Sequence, residues 1–495
     1  MAVAAVAGIA AERTDSLREH VAEHNSVLIG LRNDVYANPA MQSVHFSSSI
    51  TSLAAGYSHG CATEPVKLEY GDGHDYGFGD IKAYLHKGKA TIWGNAKYYN
   101  GTFRNMQFCE TSDFETVSPF IMADSVGGDS RREFYHFLGG FSYPVGKFNI
   151  GAEGEYTAML EYRTRDPRPR NLTGDLRVKV GASYDLASKH LLGLAVTARK
   201  YKQTNEVKLY NEVSVPTIYH YTGLGTDYYR FRGVNTSTYY KGYSAGAMLD
   251  YSAKENDGFF AGAEYEYTKI EKVITSLNEL PMSNVKDFSQ NMKFGYGTYR
   301  NGNGFGVAMT EKWQKRCGTE NIFGTAQDNI FPQIAEAKQY SLKRVSIGAE
   351  AACERTYAKG GFGMALSVEY ADYDEKYKEP VRSMKASSIA AGLKLDGHVS
   401  AGRVMIAGNV SGRYEFSTSS SLNVPAEVMN QKLFMPVAHY YSYLSANRYD
   451  IDASVETGYC ARKQFMPFVR VGWQYAHYIS SQHNTCIEVA VGVKL

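Results

Sequence analysis

The sequence predicts an all-β chain: an antiparallel transmembrane β-barrel of about 18 strands, with 14 to 18 compatible, preceded by a short N-terminal segment. Three observations carry this expectation. Residues 147–163 sort by parity, tight turns and long loops alternate from Val44 onward, and the composition is rich in Tyr and Gly without any apolar run of membrane-helix length.

Between Lys147 and Arg163, Phe148, Ile150, Ala152, Gly154, Tyr156, Ala158, Leu160 and Tyr162 carry no charge, while Glu153, Glu155, Glu161 and Arg163 fall on the other parity. A period of two means an extended strand with two unlike faces. Crossing hydrocarbon on a tilt takes about 9 to 11 residues, and this strand is long enough. A one-residue slip would press those charges into lipid, where an Arg alone costs about 2–4 kcal/mol at the midplane.

The chain has 495 residues with 39 Tyr and 47 Gly against 3 Trp and 13 Pro. Its mean hydropathy of −0.36 resembles that of a soluble protein. Barrel strands are half polar, so that average does not argue against a membrane. Fifty-three basic and 51 acidic residues give a net charge of +2 and no ground for a nucleic-acid partner.

Taken in order, residues 1–11 (MAVAAVAGIAA) read as a partial signal peptide, which implies export. Residues 12–43 read as a helix and plug segment, periplasmic or in the lumen. Ser16 and Glu19 stand at capping-box spacing there, with Leu17 and Val21 on one helix side. His20, Glu23 and His24 spell the H-x-x-E-H pattern of inverted zincin peptidases, but a third ligand and a surrounding domain are missing, so a solvated helix face is expected and neither metal nor cofactor.

Asn38-Pro39-Ala40 resembles the step before the first strand of long-chain fatty-acid transporter barrels, where an N-terminal hatch plugs the lumen. The same residues are also ordinary turn formers.

The barrel is expected over 44–495. Tight turns fall at Lys87-Gly88, Val145-Gly146, Ser188-Lys189, Asn256 to Gly258, Gly302-Asn303, Lys359-Gly360, Asp396-Gly397 and Arg462-Lys463. Longer loops fall at 58–74, 101–130, 163–170, 203–232, 271–287, 318–339, 374–382, 417–438 and 480–484. Short turns are periplasmic and long loops external in outer-membrane barrels. The last strand alternates Ile487, Val489, Val491, Val493 and Leu495 against Glu488 and Lys494, similar to a barrel insertion signal except that its last residue is not aromatic.

The polar parity defines a lumen of mixed charge: Glu153, Glu155, Asp175, Arg177, Lys179, Glu264, Glu266, Arg403, Arg413 and Arg470. Such a wall suits a polar or zwitterionic solute path, or paired charges bracing the barrel. Two external loops gather aromatics, Tyr219, Tyr221, Tyr228 and Tyr229 in one and Phe434, Tyr440 and Tyr441 in the other, which suits stacking on sugars or packing on each other. Arg163, Arg165, Arg168 and Arg170 offer a grip on lipopolysaccharide phosphates. Of six cysteines, Cys61 and Cys109 fall in adjacent external loops, leaving a disulfide and free thiols both open. His477, Ser481 and His483 are the nearest approach to a catalytic cluster, and no enzyme is expected.

The whole pattern is similar to uncharacterised outer-membrane barrel families of Gram-negative bacteria, which implies an outer-membrane location in the lipid bilayer and an uptake receptor as partner. The expected function is a channel or transporter for a small solute. The alternative is a non-conducting accessory barrel whose aromatic loops bind a partner protein or glycan.

Overall fold

The computed structural model describes residues 17–495 apart from 188, 212–214, 234–236, 255–256, 329, 463 and 479–481. Eighteen strands pair antiparallel with their neighbours, and Ile50–Ala62 closes the sheet against His483–Lys494. Closure removes the free edges that an open sheet would expose to lipid. Leu495 takes part, exchanging backbone hydrogen bonds of 2.8 and 3.0 Å with Thr51.

The parity seen in the sequence becomes the two faces of the wall. On Phe148–Arg163 the exposed side chains include Phe148, Ile150 and Tyr156, whereas Glu161 and Arg163 are buried inside. Around the outside, exposed Tyr143, Phe148, Phe259, Phe294, Phe305 and Phe362 ring the end with the tight turns. Tyr57, Tyr98, Tyr135, Tyr243, Tyr265, Tyr370 and Tyr414 ring the other end. Aromatic rings at both borders of an apolar band mark the two membrane interfaces. The molecule is thus a closed outer-membrane barrel.

Several boundaries differ from expectation. The strand expected to turn at Asp396-Gly397 runs on as Arg382–Ala401 and turns at Gly402, whose φ of +58° fits the tight reversal. Asp396 instead faces inward and meets Lys394 at 3.2 Å. The first strand begins at Ile50 rather than Val44, because Pro39–Val44 forms a 3-10 helix capped by the Asn38 side chain, which accepts from the Ala40 N–H. Several expected loops are strand: Gly258–Ile274 and Leu280–Arg300 leave only 275–279 of the expected 271–287. The alternation persists above the membrane because these hairpins bury their inner faces on infolded loops rather than ending at lipid.

The lumen is filled from both ends. From the tight-turn side, Val27, Leu31, Val35, Tyr36 and Met41 of the N-terminal segment form one core with Leu191, Phe260, Ala308, Ala352 and Ala365 of the wall. Leu17 and Val21 of the helix Leu17–His24 pack on Met405 and Met466. From the external side, Val117, Ile121 and Ala123 fold onto Tyr201, Tyr240 and Ile270. Leu224, Val428, Phe434 and Val437 fold onto Tyr340, Leu342, Tyr377 and Met384.

Candidate functional site

The site is the lumen between these two closures, and its lower boundary is built by the wall and the N-terminal segment together. Lys179 donates to the Ala37 carbonyl at 3.2 Å, and Ser183 to that of Ala40 at 3.1 Å. The Asn38 amide donates to Asp250 at 3.0 Å, and Lys293 pairs with Asp34 at 3.2 Å. Arg32, 1% exposed, donates to the Gly258 carbonyl at 3.0 Å and lies 4.7 Å from the Phe260 ring centre. The wall also recedes to admit the segment. A Cβ on Gly181 would lie 2.2 Å from Asn38 Oδ1, one on Gly151 2.4 Å from the Pro39 carbonyl carbon, and one on Gly304 2.0 Å from Leu28 Cδ1. The Asn38-Pro39-Ala40 step is therefore seated against the wall as well as forming a turn.

His20, Glu23 and His24 serve the same anchoring. His20 Nδ1 lies 2.9 Å from the Ser49 carbonyl and His24 Nε2 3.1 Å from that of Ser48, while Glu23 accepts from the Ser47 and Ser48 N–H groups at 2.6 and 3.0 Å. The expected solvated face instead binds the linker into the first strand.

Two cavities between these closures measure about 570 and 860 Å³. Arg177, Glu264, Glu266, Lys312, Arg344 and Glu415 line the first, beneath Leu444 of the external helix Met435–Leu444. Arg132, Glu350, Lys394, Arg413, Arg448, Asp450 and Asp452 line the second, which reaches the external loop residues Tyr70 to Asp72. They adjoin where Arg413 donates to Glu415 at 3.1 Å.

Each inward residue expected from sequence can be placed. Glu153 accepts from Trp93 Nε1 at 2.7 Å, and Glu155 lies 3.8 Å from His136. Arg199 grips Asp175 at 2.7 Å, Arg177 meets Glu266 at 3.1 Å, and Arg470 meets Glu488 at 3.3 Å. Arg403 is the exception. It sits exposed in the turn after Ala401, 3.5 Å from the Tyr459 hydroxyl, because the strand reverses later than the sequence suggested. Sequence reading missed Asp250 and Lys293 as anchors of the N-terminal segment, since their role depends on residues far away in the chain.

The external aromatics mostly turn inward. Phe434 is buried, Tyr221 and Tyr440 pack on the same core, and Tyr219 lies against the cluster around Ile121. Tyr228 donates to the Asn321 carbonyl at 2.7 Å and Tyr441 to Ser420 at 3.2 Å. Tyr229 alone of the seven is an exposed large side chain, at 76%. Arg163 is buried as well, donating to Glu110 at 2.8 Å and meeting Asp124 at 3.3 Å, so it braces a loop instead of reaching lipid phosphate. Cys61 and Cys109 are both free thiols, and Cys109 donates to the Thr111 carbonyl at 2.8 Å. In the external loop 63–72, burial raises the Glu69 carboxyl to about 7. Of the three residues nearest to a catalytic cluster in the sequence, His477 and His483 pair on adjacent strands and Ser481 lies outside the described residues.

A closed barrel with two aromatic rings, short turns at one end and an N-terminal segment seated inside defines an outer-membrane barrel with an occupied lumen. The chain belongs to the family of unknown function DUF6850, whose model matches residues 39–495. No curated protein matches it. Among solved structures it is similar to the siderophore receptor PiuA from Acinetobacter baumannii (9% identity, 91% of this chain and 82% of that one, TM-score 0.41). It is also similar to the FrpB iron transporter from Neisseria meningitidis (7%, 94% and 82%, 0.41) and to the copper transporter OprC (6%, 87% and 62%, 0.42). These are likenesses of overall form, and none of them to a fatty-acid transporter.

Proposed function

We propose that this barrel is a gated outer-membrane transporter for a small polar or zwitterionic solute, with the N-terminal segment as its gate and no catalytic step. The observation that carries the reading is the fit of Asn38-Pro39-Ala40 against Gly151 and Gly181, with Lys179 and Asp250 hydrogen-bonded to the segment. Val35, Tyr36, Ala40 and Met41 are at most 1% exposed. Burying each large apolar side chain contributes about 1.5–3 kcal/mol, so lifting the whole segment out would cost several kcal/mol. A gate held that firmly does not stand open at rest. Passage requires partial movement of the segment or work done on it from the periplasm.

A non-conducting accessory barrel is the second reading, favoured by the filling of the external end with residues 107–127 and 424–447. Single-channel recording in planar bilayers separates the two. The full chain should be nearly silent, and a variant lacking residues 17–49 should show steady openings. Silence in both, with the truncated barrel folded, would sink the gate and leave the accessory reading.

A further inference from the structure

Six consecutive strands, from His190–Lys208 through Ser237–Ala253, Gly258–Ile274, Leu280–Arg300 and Asn303–Phe323 to Gln333–Tyr357, end their outward apolar run on a lysine. Lys200 follows Val196 and Ala198; Lys241 follows Tyr243; Lys269 follows Tyr265 and Tyr267. Lys286, Lys315 and Lys343 follow Phe288, Trp313 and Val345, with Gln290 and Glu311 interrupting the apolar run below the first two and hydrogen-bonded to each other at 3.1 Å. These positions lie at the external aromatic ring or just beyond it, Lys200 and Lys269 flanking Tyr243 on either side, at the depth of lipid headgroups.

Register places like charges face to face. Lys202 stands opposite Lys241, Lys269 opposite Lys286, and Lys315 opposite Lys343. Like charges directly opposite destabilise a sheet. Glu271 offsets part of this, reaching Lys269 at 2.6 Å and Lys241 at 3.5 Å. Asp374, opposite Lys343, is engaged by Lys376 at 2.7 Å and Lys385 at 3.9 Å. Among the described residues, Lys200, Lys202, Lys286 and Lys315 have no acidic partner. The belt is strongest on this side: Lys376 and Lys385 carry it past Asp374 onto the next two strands, whereas on Ile50–Ala62 and Ala90–Met106 the outward residues after Tyr57 and Tyr98 are His59 and Asn100, and on Gly128–Val145 Glu133 stands before Arg131.

We propose that this face binds a phosphorylated lipid of the outer leaflet, its acyl chains on the apolar band and two or more phosphates bridging the facing lysines. A ring of loosely attracted lipid would not call for a belt of opposed cations strongest on one side. A multiply anionic headgroup accounts for both the charge and the pairing.

The test uses the full-length barrel in phosphatidylethanolamine nanodiscs doped with lipid A carrying two phosphates, or with the same lipid dephosphorylated, and counts retained lipid by native mass spectrometry. The wild type should retain the phosphorylated form, and K286Q/K315Q/K343Q should retain it about tenfold less or worse. The dephosphorylated form should be lost from both, and excess inorganic phosphate should not displace the lipid. Equal retention by the variant, equal retention of the dephosphorylated lipid, or displacement by phosphate would each overturn the proposal. In zwitterionic detergent the variant should melt at or above the wild-type temperature; a lower Tm there would make the lysines structural and overturn it too.

Discussion

Glu69 shows how one residue sets the pH behaviour of the external end. It lies in the short helix Leu68–Tyr70, where burial raises its carboxyl to about 7 from an ordinary 4.5, partly opposed by Lys67 and reinforced by Glu115 and Glu375. Below pH 4.5 the group is protonated in the folded and unfolded chain alike, and its contribution is fully present. Between 4.5 and 7 only the fold keeps the proton, so stability falls as pH rises, by on the order of 3 kcal/mol in all. Protection against amide exchange in 63–72 and 107–127, with the intrinsic pH dependence of exchange divided out, should therefore fall from pH 5 to pH 8. Glu69→Gln should flatten that dependence, and an unchanged profile in the variant would refute the assignment. Nothing in the sequence around Glu69 announces this, because its burial comes from loops distant in the chain.

At the scale of elements, the strands were legible wherever one face meets lipid. The parity of Phe148–Arg163 needs no neighbour to be read, since a wrong register would bury charge in hydrocarbon. Above the membrane that constraint lapses, and with it the reading: Gln333–Tyr357 runs for 25 residues, its upper end within an expected loop. The Asp396-Gly397 turn failed similarly, as a sequence that favours a turn was overridden by the pairing of Asp396 across to Gly363 and Asn409. The N-terminal segment was legible as distinct from the barrel but its seat was not, because the receding glycines come from separate strands. That seat makes a direct prediction. Gly181→Leu should force Asn38 out and expose 17–49 to protease in a barrel that still folds, whereas Gly154→Leu, with no heavy atom within 4 Å of a new Cβ, should leave the segment protected. Equal protection in both would mean that the seat does not hold the segment.

For the whole molecule, the balance of charge that was uninformative in the composition becomes informative once it is sorted by face. Arg177, Lys312 and Arg344 stand against Glu264, Glu266 and Glu415 around the smaller cavity. Arg132, Lys394, Arg413 and Arg448 stand against Glu350, Asp450 and Asp452 around the larger. Neither sign dominates either chamber, and opposite charges alternate over short distances, as in the Arg413 contacts of 3.1 Å to both Glu369 and Glu415. A wall of this kind gives a simple anion or cation little net attraction, but offers paired sites to a molecule carrying both signs. With residues 17–49 removed, the open barrel should therefore show a reversal potential near zero in a tenfold KCl gradient. Replacing Glu264, Glu266 and Glu415 together by Gln should shift it toward anion selectivity by removing one side of the balance. Strong selectivity in the unsubstituted open barrel would show that ions travel past a different set of residues, and would take the zwitterionic solute with it.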